Sequence, residues 1–189
     1  MLADQLAAVE AALVSHFGQQ PARASVSFLG VDPIEVLRFE PVPDERAYVT
    51  LGMSRLPMTS VNELVVAAHG PRAELMLQVR AGAGADVWRR LAVLAAAPAV
   101  EGVVYRPDMS VDIGEPLAPG SRCTGVVVAE SLLAPVVAPD GPVDVFDLSP
   151  ATSTELAWCR VRGTTALRAR WVDQGVDLHD LGRPAARLD

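Results

Sequence analysis

The sequence predicts an α+β fold: a single domain with a mostly antiparallel or mixed sheet flanked by helices at both ends. Three observations carry this. The first seventeen residues repeat apolar side chains at helical spacing. Short β-branched runs separated by glycine and proline fill the stretch up to about residue 149. A capped pair of helices follows near the C-terminus. Regular strand–helix–strand alternation is absent, which argues against a doubly wound sheet.

Taken in order, Leu6, Val9, Leu13 and Phe17 form the stripe of a helix over 3–17, closed by Gly18 and Pro21. "ASVSFLG" (24–30) and "IEVLRFE" (34–40) are β-branched and aromatic, and Gly30-Val31-Asp32-Pro33 between them has turn chemistry, so a hairpin is expected. "PVPDER" (41–46) leads into the strand "AYVTLGMS" (47–54). "NELVVAA" (62–68) and "AELMLQVR" (73–80) then flank His69-Gly70-Pro71-Arg72. The second run alternates, with Leu75, Leu77 and Val79 on one face and Glu74, Met76, Gln78 and Arg80 on the other. That pattern predicts a strand with one buried face.

"AGAGA" (81–85) is a joint, after which Val87, Leu91 and Leu94 mark a helix over 86–97 that Pro98 is expected to end. "GVVVAE" (125–130) and "VDVFDLS" (143–149) are the plainest strands of a proline- and glycine-rich middle section. Thr152 and Glu155 have the spacing of a capping box. The helix so begun runs to about 162, Gly163 interrupts it, a second spans 164–174, and Gly175 supplies a left-handed cap. The expected division is an N-terminal helix over 1–21 packed on a domain over 22–180, with a tail over 181–189.

The 189 residues carry a formal charge of −7 and a pI near 4.9, so a phosphate backbone is repelled and no nucleic-acid partner is expected. No run approaches the roughly 18 apolar residues of a membrane span, and the N-terminus "MLADQLAAVEAAL" is acidic where a secretory signal would be basic. A cytoplasmic protein with no membrane partner is the expectation. Cys123 and Cys159, with no paired spacing, read as buried reduced thiols, a disulfide being the alternative.

Little in the chain carries chemistry. A nucleophile elbow needs G-x-S-x-G, whereas Gly52-Met53-Ser54 continues into Arg55 and Leu56. His16, His69 and His179 lie far apart, without H-E-x-x-H or C-x-x-C, so no metal is expected. "AGAGA" lacks the lysine and hydroxyl of a phosphate loop, and no cofactor is expected. Arg160, Arg162, Arg168 and Arg170, with Glu155 and Asp173, read as a mixed-charge solvated face, and Trp158 and Trp171 as anchors of the last helices. No catalytic residue is assigned. Two alternatives stay open: a small hydrolase using Ser54 or an acid pair, and a regulatory domain binding a small ligand between sheet and C-terminal helices.

Thr50-x-Gly52-Met53-Ser54-x-x-Pro57-Met58, preceded by the hairpin segment "IEVLRFEPVPDERAYVTL", resembles the bacterial suppressor-of-fused-like domain family. Gly114-x-Pro116-Leu117-x-Pro119-Gly120 and "FDLSPATSTEL", leading into a glycine-broken helix pair, are similar to the same family in the same order. The resemblance covers about 22–180. It implies an α+β domain related to the N-terminal half of animal suppressor of fused and a non-catalytic, protein-binding function, in bacteria often that of an immunity protein neutralising a toxin. A basic toxin would suit the acidic chain. Met53, Ser54, Pro57 and Met58 are the candidate partner-binding residues, and Gly52, Thr152, Glu155 and Gly163 the structural motif. The motif's side chains also suit a core or turn: glycine for close approach, serine for bonding back to the backbone, methionines for irregular gaps.

Overall fold

Among the described residues a seven-stranded mixed sheet forms the middle of the protein, with helices on both faces. The computed structural model describes residues 2–60, 70–82 and 86–189. The expectations for "NELVVAA", His69 and most of "AGAGA" lie outside these residues. The elements are α1 (Leu2–Phe17), β1 (Ala22–Phe28), β2 (Val31–Phe39), β3 (Glu45–Leu51), β4 (Arg72–Arg80), α2 (Val87–Glu101), β5 (Ser110–Asp112), β6 (Cys123–Glu130), β7 (Val143–Thr152), α3 (Ser153–Arg162) and α4 (Thr164–Asp173). Strand order is β1-β2-β3-β4-β7-β6-β5, antiparallel throughout except for the parallel pair β4–β7.

Two sequence expectations shift at the strands. The first hairpin turns at Leu29-Gly30, and Val31–Pro33 belong to β2; Gly30 takes the left-handed conformation (φ 78°) that the tight turn needs. Pro33 is tolerated because the pairing slips between Val26 and Phe28, at an irregularity opposite it. β4 was expected to bury one face. Being the central strand, it buries both: Arg72 through Leu77 are all buried, Glu74 fully.

One face packs Ile34, Val36, Tyr48, Leu75, Leu77 and Phe146 beneath α2, which contributes Val87, Leu91 and Leu94. The other face is shared. α1 covers one half, setting Val9 and Leu13 over Leu37, Phe39, Val49 and Met76, with Phe17 stacked on Phe39 at 4.2 Å between ring centroids. α3 and α4 cover the other half, placing Leu156, Leu167 and Trp171 over Val127 and Ala151. Cys123 and Cys159 are free and buried, and burial pushes the Cys123 thiol up to about 11.

Pro98 does not end α2, which continues through it to Glu101. A proline has no N–H for the carbonyl four residues back. Here that carbonyl belongs to Leu94, and the buried Tyr105 hydroxyl donates to it at 2.7 Å. The substitute donor lets the helix run on to Gly102, whose left-handed backbone (φ 65°) caps it.

Residues 176–189 carry no regular element, yet they cross the sheet's end as a strap. Arg80 N–H donates to His179 O and Arg122 N–H to Leu181 O. Leu181, Arg183 and Ala186 are buried. Arg183 meets Glu155 with both terminal nitrogens, at 2.8 and 3.0 Å.

Candidate functional site

At the end of β3 the chain makes a 3-10 turn over Met53–Arg55, entered through Gly52 at φ 138°. A β-carbon at Gly52 would sit 3.2 Å from the Pro33 carbonyl oxygen, so both the conformation and the space call for glycine. The turn is held by two side chains of β4. Glu74 accepts from the Gly52 N–H (2.8 Å), the Ser54 N–H (3.0 Å), the Ser54 hydroxyl (2.7 Å) and the Thr50 hydroxyl (2.6 Å). Arg72 donates to the carbonyls of Ser54 (2.9 Å) and Arg55 (2.6 Å). A carboxylate thus satisfies the turn's donors and a guanidinium its acceptors, two residues apart on one strand. Burying Glu74 would cost several kcal/mol if it were unpaired, and four donors offset that.

This settles where the anticipated residues lie. Met53, Ser54, Pro57 and Met58 are all buried. Met53 and Pro57 line a cleft of about 670 Å³, while Ser54 and Met58 support its wall from behind. The Ser54 hydroxyl is spent on Glu74, and no imidazole bonds it among the described residues. Thr152 caps α3 as expected, its backbone and hydroxyl meeting Glu155. Gly163 joins α3 to α4 at φ 86°. Neither these two residues nor Glu155 lines the cleft. Glu155 is not on a solvated face: besides Arg183 it accepts from the Trp171 indole (2.8 Å) and the Ala186 N–H (2.9 Å). Its periodicity placed it among arginines; its real cation arrives from the strap. Arg160 and Arg168 pair instead with Asp112 and Asp108.

Three segments wall the cleft: the β1–β2 turn (Gly30, Val31, Asp32), the Gly-Met-Ser corner with Leu56, and the end of α2 (Ala95, Pro98, Ala99, Val100). On its rim stand Leu56 (59% exposed) and Val100 (61%); Leu29, next to the lining residue Gly30 in the chain, is fully exposed. The sequence reading missed these three. Leu56 inside the motif, between a buried serine and a buried proline, was the available signal. Arg55 is tied back to the Pro33 carbonyl. Asp32 and the α2 carbonyl end bring negative charge to the mouth, and the Arg55 guanidinium a positive one beside it.

A second cavity, about 480 Å³, is lined by Tyr105, Arg106, Glu130, Ser131 and Asp144 among others. Partial burial, then the Glu130 charge, raises the Asp144 carboxyl above its usual range. No group of three or more metal-ligating side chains occurs among the described residues. No helix among them is long and apolar enough to cross a membrane.

Fold and corner together define a suppressor-of-fused type of domain. The family model for suppressor of fused protein matches residues 30–184, and the chain belongs to that family. Among solved structures it is similar to a suppressor-of-fused homologue from Neisseria gonorrhoeae, with TM-score 0.73 at 16% identity over 98% of each chain. It is also similar to a chain of the Sufu–Fu complex (TM-score 0.65, 14% identity, covering 97% of this chain and 92% of that one). Drosophila Suppressor of Fused matches with TM-score 0.65 at 13% identity over 97% of this chain and 51% of that protein. These likenesses establish the fold. No curated protein matches the chain.

Proposed function

We propose that this chain is a non-catalytic protein-binding domain whose partner seats an apolar segment with basic flanks in the cleft beside the Gly-Met-Ser corner. One observation carries the reading: a cleft of about 670 Å³ lined by the exposed apolar side chains of Leu56 and Val100, with exposed Leu29 next to its Gly30 wall, on a corner braced by buried charges. Clustered exposed apolar side chains mark interaction sites, whereas scattered ones do not. The net charge of −7 favours a basic partner by steering its approach. Of the four anticipated contact residues, Met53 and Pro57 would meet the partner directly; Ser54 and Met58 hold them in place. The solved relative in the Sufu–Fu complex, where the fold occurs with a protein partner, supports the same class of function. A cytoplasmic immunity protein neutralising a basic toxin is the finer form of this proposal, with residues 22–180 as the recognition unit.

A photo-crosslinking residue at position 56 of the full chain, expressed in its native host, would identify the partner. Leu56→Asp and Val100→Asp should then weaken its binding at least tenfold with the melting temperature unchanged. Wild-type affinity in both variants overturns the cleft assignment. Protection of growth against a toxic partner, lost in the same variants, would support the immunity form; a partner without toxicity removes that form alone.

The hydrolase alternative keeps one foothold in Glu130 and Asp144, which share a cavity. Ester or phosphoester turnover abolished by Glu130→Gln and Asp144→Asn would favour it over the binding reading.

A further inference from the structure

On the sheet face opposite α2, α1 covers one half and the α3–α4 pair the other, leaving a seam over the parallel strands β4 and β7. Pairing sets Met76 beside Asp147 and Leu77 beside Leu148, which carries Gln78 alongside Ser149. Residues 76, 78, 147 and 149 therefore share the seam's face, since alternate strand residues point the same way. A recess of about 100 Å³ opens there, with Gln78, Asp147 and Ser149 among its walls and Leu178 and His179 of the strap across it.

Asp147 gives the recess a carboxylate, and Gln78 and Ser149 can each accept as well as donate. Asp147 Oδ1 is buried without a hydrogen-bond partner among the described residues. Ser131 and His16 of α1 favour the charged form of the Asp147 carboxyl. Burial is the largest influence on that group and disfavours its charge. His179 Nδ1 stands 3.0 Å from Glu45 Oε1. A carboxylate only accepts, so Nδ1 carries a proton in this contact. The Gln78 and Ser149 side chains have no hydrogen-bond partner among the described residues and are free to turn toward a guest.

Size narrows the guest. At about 30 Å³ per water, 100 Å³ holds about three waters. Drug-sized ligands and cofactors need about 300 Å³ or more. A planar, donor-rich cation of a few heavy atoms fits both the volume and the acceptor set. Arginine and lysine side chains end in such groups, and a guanidinium meets a carboxylate with paired hydrogen bonds.

We infer that the seam between β4 and β7 is a receptor for the guanidinium or ammonium head of a basic side chain, anchored on Asp147 and bordered by Ser149, Gln78 and His179. The site lies on the sheet face opposite the cleft, so it stands or falls independently of the apolar docking proposed there.

The test uses the full chain, labelled with ¹⁵N and titrated with N-acetyl-arginine methylamide, methylguanidinium and methylammonium, with tetramethylammonium and sodium chloride as controls. The expected result is saturable shifts of the Gln78 side-chain amide and the Asp147 and Ser149 backbone amides with the arginine derivative. The controls should produce none. Asp147→Asn, nearly the same shape, should weaken binding at least tenfold while keeping the remaining spectrum, and Ser149→Ala should weaken it several-fold. Equal shifts with tetramethylammonium or salt, unchanged binding in Asp147→Asn, or no shift at these residues overturns the site. Binding of methylguanidinium but not of the arginine derivative overturns the side-chain source and points to a free small cation.

Discussion

Ser54 gives both its backbone N–H and its hydroxyl to one oxygen, Oε1 of Glu74, at 3.0 and 2.7 Å in a fully buried setting. A serine read from the sequence as a potential nucleophile thus serves as a brace. Glu74→Gln keeps the volume but replaces one acceptor oxygen with an NH₂ that faces donors. It should cost about 2–4 kcal/mol, as expected when buried donors lose their partner. Ser54→Ala removes one of the four bonds and should cost about 1–2 kcal/mol. Urea denaturation measures both. A loss in Glu74→Gln no larger than in Ser54→Ala would contradict the central place of the carboxylate.

The second buried carboxylate ties the strap to α3. Burial acts to raise the Glu155 pKa, but hydrogen bonds from Arg183, Ala186, Thr152 and Trp171 outweigh it and hold the group below its ordinary 4.5. A carboxylate with a depressed folded pKa adds stability that is fully present above the unfolded value and is lost as pH falls through the folded one. Stability should therefore be flat in this contribution above about pH 5 and decline below it. Arg183→Met leaves Glu155 buried without its cation and should cost about 3–5 kcal/mol. Its stability should also rise, relative to the wild type, as acid neutralises Glu155. Parallel acid profiles for the two proteins would refute this.

Tyr105 and Pro98 should be energetically coupled through the Leu94 carbonyl. Tyr105→Phe alone strands that acceptor and should cost about 1–2 kcal/mol. In a Pro98→Ala background the alanine N–H can take the carbonyl, so the same change should cost less. A double-mutant cycle in guanidinium chloride would give a coupling of about 0.5–1 kcal/mol. Simple additivity would mean that the hydroxyl does not replace the missing N–H.

Gly125 is where β5 and α3 close over β6. A β-carbon there would lie 2.1 Å from the Val111 carbonyl oxygen and 2.8 Å from Leu156 Cδ1. Backbone cannot yield as a flexible side chain does, so Gly125→Ala should displace β5 and cost about 1–3 kcal/mol. Faster amide exchange at residues 110–112, with β2 and β3 unaffected, is the expected signature.

How much of this was legible varies with the range of the interaction. The hairpin β1–β2, the helix 3–17 and the Thr152–Glu155 cap depend on neighbours in sequence, and each was read with small boundary errors. Pro98 was misread as a helix stop because its remedy, Tyr105, reaches back across eleven residues to Leu94. Glu74 was put on an exposed strand face because alternation alone cannot tell a central strand from an edge strand. Of the site, the Gly-Met-Ser motif could be found, but its burial, the braces Arg72 and Glu74, and the apolar rim could not.

Taken alone, the sequence determined the class of fold, most of the turns and caps to within a few residues, and the family resemblance, because these follow from local backbone preference, periodicity and the order of short motifs along the chain. Tertiary structure alone decided which charges are interior. Glu74 and Glu155 look like any surface acids until partners 20 and 28 positions away close around them. A buried carboxylate is tolerable solely where folding delivers enough donors to replace water, and no local pattern records where those donors will come from.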